Sequence, residues 1–213
     1  MPRLPTAAVI LFFLSFGCNR PAPDPAPVAT PAPETPNAPN ASDNPIPPGE
    51  RVENPRYRLW AAHKPGTTVV VREKTDTPAY KTETTSTFKL KKIDDDRAVV
   101  EVRSEIVAPD GTRSPTEPQE LSYTRWIAAP TERAKKDLTR PPGTFEERNE
   151  PITVLGREYQ ATWYKSKGRV EAGETITETW IVDDIPGGLA RSVHSIPAAK
   201  KTITTELVEI KNP

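Results

Sequence analysis

The chain is poor in the residues that carry chemistry: one cysteine, two histidines and one methionine in 213 positions. A single cysteine rules out a disulfide within the monomer, so burial and backbone hydrogen bonding alone must hold any domain. No His-x-His, HExxH, Cys-x-x-Cys, GxSxG or P-loop spacing occurs. No metal, no cofactor and no catalytic residue is therefore expected, and an envelope hydrolase ranks behind every non-enzymatic reading. Charge of one sign is missing too, since 29 basic and 29 acidic residues cancel to a formal net charge of +0. Without a steering field, no nucleic-acid partner is expected. Nor is there an apolar run of the about 20 residues that a membrane-spanning helix needs.

Proline is what the chain has in excess, 26 residues of it, and many follow directly on the only cysteine in "FLSFGCNRPAPDPAPV". Arg3 gives a positive start and Ala7 to Phe16 ("AAVILFFLSF") an apolar core of signal-peptide length. "LSFGC" resembles the bacterial lipobox. The resemblance implies a diacylglycerol on the thiol of Cys18, palmitate-type acylation, removal of residues 1–17 and a mature chain beginning at Cys18. The family pattern places Leu three before the cysteine and a small residue two before; here those positions are Ser15 and Phe16, with Leu14 one step early. Ser15, Phe16 and Gly17 also fit the small-x-small rule of ordinary secretion, which would release a soluble protein. An exposed thiol at the first residue is reactive in an oxidising compartment, which favours acylation. Asn19 is not the Asp that marks inner-membrane retention in similar lipoproteins, so the expected address is the cell envelope, outer membrane or facing the periplasm, with the membrane reached through lipid on Cys18.

Pro21 to Pro48 has almost no large apolar side chain and cannot repay the entropy of ordering. Residues 18–50 are read as a lipidated N-terminus and proline-rich tether, biased to polyproline II at about 3.1 Å per residue. The alternative is a recognition segment for aromatic grooves.

Residues 51–213 read as one domain, expected to be monomeric. Asn54 can cap a short helix with Pro55 in its first turn, stopped by Pro65-Gly66, and His63 near its end can meet the last carbonyls. Nine strands follow: Thr67 to Thr75, Ala79 to Ile93, Arg97 to Val107, Gln119 to Ala128, Pro151 to Leu155, Arg157 to Lys167, Glu174 to Val182, Leu189 to Ile196 and Lys201 to Ile210. Turns at Asp94-Asp95-Asp96 and Pro109-Asp110-Gly111 separate some of them. The excursion Ala129 to Glu150, with "TERAKKDL", is expected to hold a short helix. The fold class is all-β, mainly an antiparallel meander, as a half-open or closed β-barrel with a short N-terminal helix; a two-sheet β-sandwich is the alternative.

Alternation assigns Val100, Val102 and Ile106, Tyr159, Ala161 and Trp163, and Ile176, Trp180 and Val182 to the buried face, with Thr175, Thr177 and Thr179 facing water. Candidate ligand-face residues are Tyr57, Trp60, Trp163 and Trp180. Tyr57 and Trp60 share a helix face, which also fits a plug packed on the sheet. His194 alternates with Ser192 and Ile196 and reads as a hydrogen-bonded sheet histidine. "DDIPGG", Asp183 to Gly188, reads as a tight corner in which Gly-Gly supplies positive φ, with a weak cation or anion contact as the alternative.

"KPGTTVVV", the Thr-rich hairpin after it, "TETWIVDDIPGGLARSV" and the last Thr-rich strand resemble a group of uncharacterised bacterial lipoproteins and secreted proteins, over about Trp60 to Ile210. In outline the expected fold is similar to half-barrel lipoprotein carriers and lipid-binding lipoproteins. That resemblance implies a tethered module for a hydrophobic or other envelope ligand. The second reading is a structural or protein-interaction module that meets another envelope protein.

Overall fold

The structure is a computed structural model and describes residues 51–128 and 136–213. The expected signal peptide, Cys18, the expected tether and most of "TERAKKDL" lie outside the described residues. Among the described residues the order is β1 (Arg51–Glu53), α1 (Pro55–Ala61), β2 (Thr68–Asp76), β3 (Lys81–Ile93), β4 (Arg97–Val107), β5 (Arg113–Pro115) and β6 (Gln119–Thr124). Then come β7 (Trp126–Ala128), β8 (Thr144–Val154), β9 (Arg157–Val170), β10 (Gly173–Ile181), β11 (Leu189–Ile196) and β12 (Lys201–Lys211).

Two antiparallel meanders make one sheet. β2, β3 and β4 follow one another, as do β8 through β12, and the last strand of the chain, β12, pairs with β2 to join them. The spatial order is β5-β4-β3-β2-β12-β11-β10-β9-β8, with β6 also on β4. The sheet does not close: β8 is one edge and β4, with its short partners β5 and β6, forms the other. This is the half-open form of the expected all-β domain.

Two boundaries differ from expectation. The stretch expected as one strand from Gln119 to Ala128 is broken at Arg125. Its backbone N–H donates to the Asp96 carbonyl while its own carbonyl accepts from Asn54 N–H, at 2.6 and 2.7 Å, and β7 leaves the main sheet to pair with β1. The strand expected at Pro151 begins at Thr144. Its first half, "TFEERNE", lacks an apolar alternation because β8 is an edge strand whose side chains there are largely wet.

Asn54 caps α1 as expected, accepting from Arg56 N–H at 3.0 Å. The helix buries Tyr57, Leu59 and Trp60, and the Tyr57 hydroxyl donates to the Asp94 carbonyl at the β3–β4 turn. It packs against β3, β4 and β6, and therefore over the face of β4 that carries Ala98, Val100 and Val102. That is the inner face of the sheet. On its far side α1 meets the Asp183 to Gly188 corner, where Ile185 is wholly buried and Gly187 and Gly188 sit against Trp60 and Leu59. A seven-residue helix is about 10 Å long, while β4 and β11 in a flat sheet would stand about 19 Å apart. Touching both β4 and the approach to β11 requires the sheet to curl and the corner to fold inward. Each large side chain buried in this plug contributes about 1.5–3 kcal/mol.

Candidate functional site

Beyond the plug the inner face changes character within two residues along each strand. Nearest α1 are the pairs Val69 with Phe88, Phe88 with Val102, and Leu90 with Val100. Two residues on, Leu207, Val71, Ser86 and Ser104 share a row, and the two serine hydroxyls lie 2.7 Å apart. The next row crosses the sheet as Tyr164, Thr179, Ser192, Thr205, Glu73 and Thr84. The one after it runs Ser166, Thr177, His194, Ile203, Thr75 and Thr82. Hydroxyls dominate both.

The β10 assignment made from alternation is inverted. Thr175 and Thr179 are the buried residues, at 4% and 1% exposure, while Ile176 and Trp180 lie on the outer face. The reason is that each face has its own cover. Trp163 stands opposite Trp180, and the row continues through Arg191 and Glu206. The Arg148 guanidinium sits 3.6 Å from the Trp163 ring centroid and Arg191 lies 5.5 Å from that of Trp180. Trp180 Nε1–H donates to Glu150 at 2.6 Å and Trp163 Nε1–H to Glu178 at 3.4 Å. Glu150 is held below the usual carboxylate range, first by its hydrogen bond from Arg148 and then by that from Trp180. A pair of indoles is thus shielded on the outer surface by arginines. Of the four candidate aromatics, Trp163 and Trp180 come together there, and Tyr57 and Trp60 come together in the plug on the opposite face.

On β2, β11 and β12 the titratable groups of the inner face are Glu73, His194 and Lys201, while towards the β8 edge Tyr164 is pushed up by burial and by the neighbouring Glu147. Burial pushes the Glu73 carboxyl up, opposed by the nearby Lys201 ammonium, and burial pushes His194 down, reinforced by the same lysine. Both shifts favour the uncharged form. His194 projects with Ser192 and Ile196 as expected, and its Nδ1 lies 2.7 Å from the Thr177 hydroxyl. This hydroxyl–imidazole pair was not legible in the sequence, because the two residues are 17 positions apart and meet only through the β10–β11 register. His63 behaves differently from its reading as a side-chain cap: its backbone N–H donates to Trp60, and its buried Nε2 has no hydrogen-bond partner among the described residues.

No protein-family model matches the chain, and no curated protein matches it either. Among solved structures, a Bacteroides fragilis protein with a YmcC-like fold superposes with a TM-score of 0.44 at 9% identity, covering 70% of this chain and 97% of its own. The Mycobacterium tuberculosis lipoprotein LppX gives 0.39 at 13% identity, covering 74% and 93%.

Two surface concavities bear on what the domain holds. One of about 200 Å³ is lined by Asn149, Thr162 and Asp183 among others, and one of about 670 Å³ by residues including Lys74, Asp76, Lys200 and Glu206. Neither is the apolar slot that an acyl chain fills. Among the described residues no group of three or more His, Cys, Asp or Glu is placed to hold a metal ion.

Proposed function

We propose that the chain is a lipid-anchored envelope protein whose β-domain is a tethered, non-catalytic binding module with the hydroxyl-lined inner face as its floor. The observation that supports this is the part-exposed polar surface beside the plug: Glu73, Thr84, Ser192, His194 and Thr205 all keep partial access to solvent. A sheet curled only to bury a core would carry apolar residues there. The Thr177–His194 pair is assigned to this floor and not to catalysis. Both residues sit mid-strand between two paired neighbours, so their backbone N–H groups are spent in the ladder and do not serve as oxyanion donors.

The anchor part of the proposal rests on Cys18 after an apolar run, followed by proline. Replacing Cys18 by Ser is expected to move the protein from the detergent-soluble membrane fraction to the aqueous one. Unchanged partition overturns the anchor. For the module, native and denaturing mass spectra of the protein purified in mild detergent are the test. A ligand mass released on denaturation, or a mass shift on addition of envelope extract, is expected; a bare chain in both directs attention to the second reading. In that reading the β8 edge, paired only to β9 among the described residues, receives a strand of another envelope protein. Pro151 and the charged run Glu146-Glu147-Arg148 on β8 oppose it, since both features discourage edge pairing.

A further inference from the structure

Resting on the binding reading above, we infer that the ligand of the inner face is an uncharged saccharide chain lying across β11, β12, β2 and β3. The floor under such a chain is the row Ser192, Thr205, Glu73 and Thr84, flanked by His194 and Thr75. Each hydroxyl offers one donor and two acceptor positions, the same capacity as a sugar hydroxyl, so either partner can donate. The Glu73 carboxylate adds two acceptor oxygens, the geometry that receives a pair of neighbouring sugar hydroxyls.

Spacing argues for a chain and not a single ring. Residues of one row on neighbouring strands stand about 4.8 Å apart, nearly the advance per ring of an extended pyranose polymer, so successive rings meet successive strands. Charge argues for a neutral one. Lys201, four residues from Thr205 along the same face of β12, acts electrostatically on Glu73 and offsets its charge, and burial holds His194 toward its uncharged form. A polyanion would meet the Glu73 carboxylate with a single lysine to compensate. An acyl chain is excluded by the same floor, because covering each hydroxyl without a hydrogen bond costs about 1–3 kcal/mol. The flank of the floor is already ordered by the 2.7 Å contact between Thr177 and His194, so binding does not have to freeze that side chain.

The test is calorimetric titration of the full chain in mild detergent with chitohexaose, cellohexaose and isomaltohexaose, and with palmitate in a separate titration. At least one hexasaccharide is expected to bind, and the double variant Thr84→Val, Thr205→Val to weaken it at least tenfold, the loss of two hydrogen bonds. Valine preserves shape and strand preference, so the variant keeps its fold, and Thr204→Val on the outer face is expected to leave binding unchanged. Failure of all three sugars at millimolar concentration overturns the inference, as does binding that the double variant leaves intact. Palmitate bound in their place overturns the ligand class while leaving the binding module standing; no binding of any probe together with bare native mass spectra removes both.

Discussion

Gly188 is the residue on which the plug depends most directly. Its φ is +79°, and a Cβ there would lie 2.7 Å from Leu59 Cδ1 and 3.3 Å from Ile181 Cγ2. Gly188→Ala combines a left-handed backbone penalty with overpacking, together about 2–4 kcal/mol, which for a domain of this size lowers Tm by roughly 5–15 °C. A melt within 2 °C of wild type would show that the corner relaxes without cost. Glu73 gives a prediction in pH. Its folded pKa is raised above the ordinary value of 4.5, so the folded chain binds more protons than the unfolded one between those two values. Stability contributed by the neutral carboxyl is complete below pH 4.5 and is lost as pH rises through the folded pKa. Glu73→Gln keeps the position uncharged. It is expected to melt higher than wild type at pH 7 to 8, by at most about 4 °C because solvent and Lys201 screen the group, with no difference at pH 4. His63 and His194 have lowered folded pKa values, so their contribution runs the other way and weakens as pH falls below 6.5.

At the scale of elements, the strands were readable because their turns are. Asp94 accepts from the backbone N–H groups of Asp96 and Arg97, and its pKa falls to about 2, led by the hydrogen bond from Lys92. Such a turn announces itself in sequence. Facing was less readable, for two physical reasons. Bulges between Leu90 and Lys92, Trp180 and Ile181, and Leu207 and Glu209 shift the alternation by one residue without any change in composition. And apolar residues mark the inside only when the outside is bare, whereas here Arg148 and Arg191 shield Trp163 and Trp180 on the outer surface. The effect is largest at the candidate site, where alternation turns Thr177 and Thr179 to water because the neighbouring Trp180 and Ile176 have the composition of a core. Arg148→Ala tests the explanation. Losing the stacked guanidinium is expected to cost about 1 kcal/mol, and to red-shift and raise quencher access to tryptophan emission as Trp163 meets water. An unchanged spectrum would mean that something other than Arg148 covers the ring.

At the scale of the whole molecule, the final strand occupies the middle of the sheet. β12 pairs with β11 on one side and β2 on the other, and among the described residues it alone joins the two meanders through strand pairing. Each meander by itself would have β2 or β11 as a second raw edge and an inner face open along its length, and α1 would have only one wall to pack against. The pairing of β2 with β12 also closes a loop of more than 100 residues, the kind of non-local contact that delays folding until both partners exist. Completion of the sheet therefore waits on residues 201–211. Removing residues 201–213 is therefore expected to abolish the cooperative thermal transition and leave an aggregation-prone chain, although only 13 of 213 residues are lost. The two meanders would then expose unpaired edges at β2 and β11, detectable by fast amide hydrogen exchange in both strands. A truncated chain that still melts cooperatively would mean that α1 and the Asp183 to Gly188 corner hold the two halves together without the strand between them.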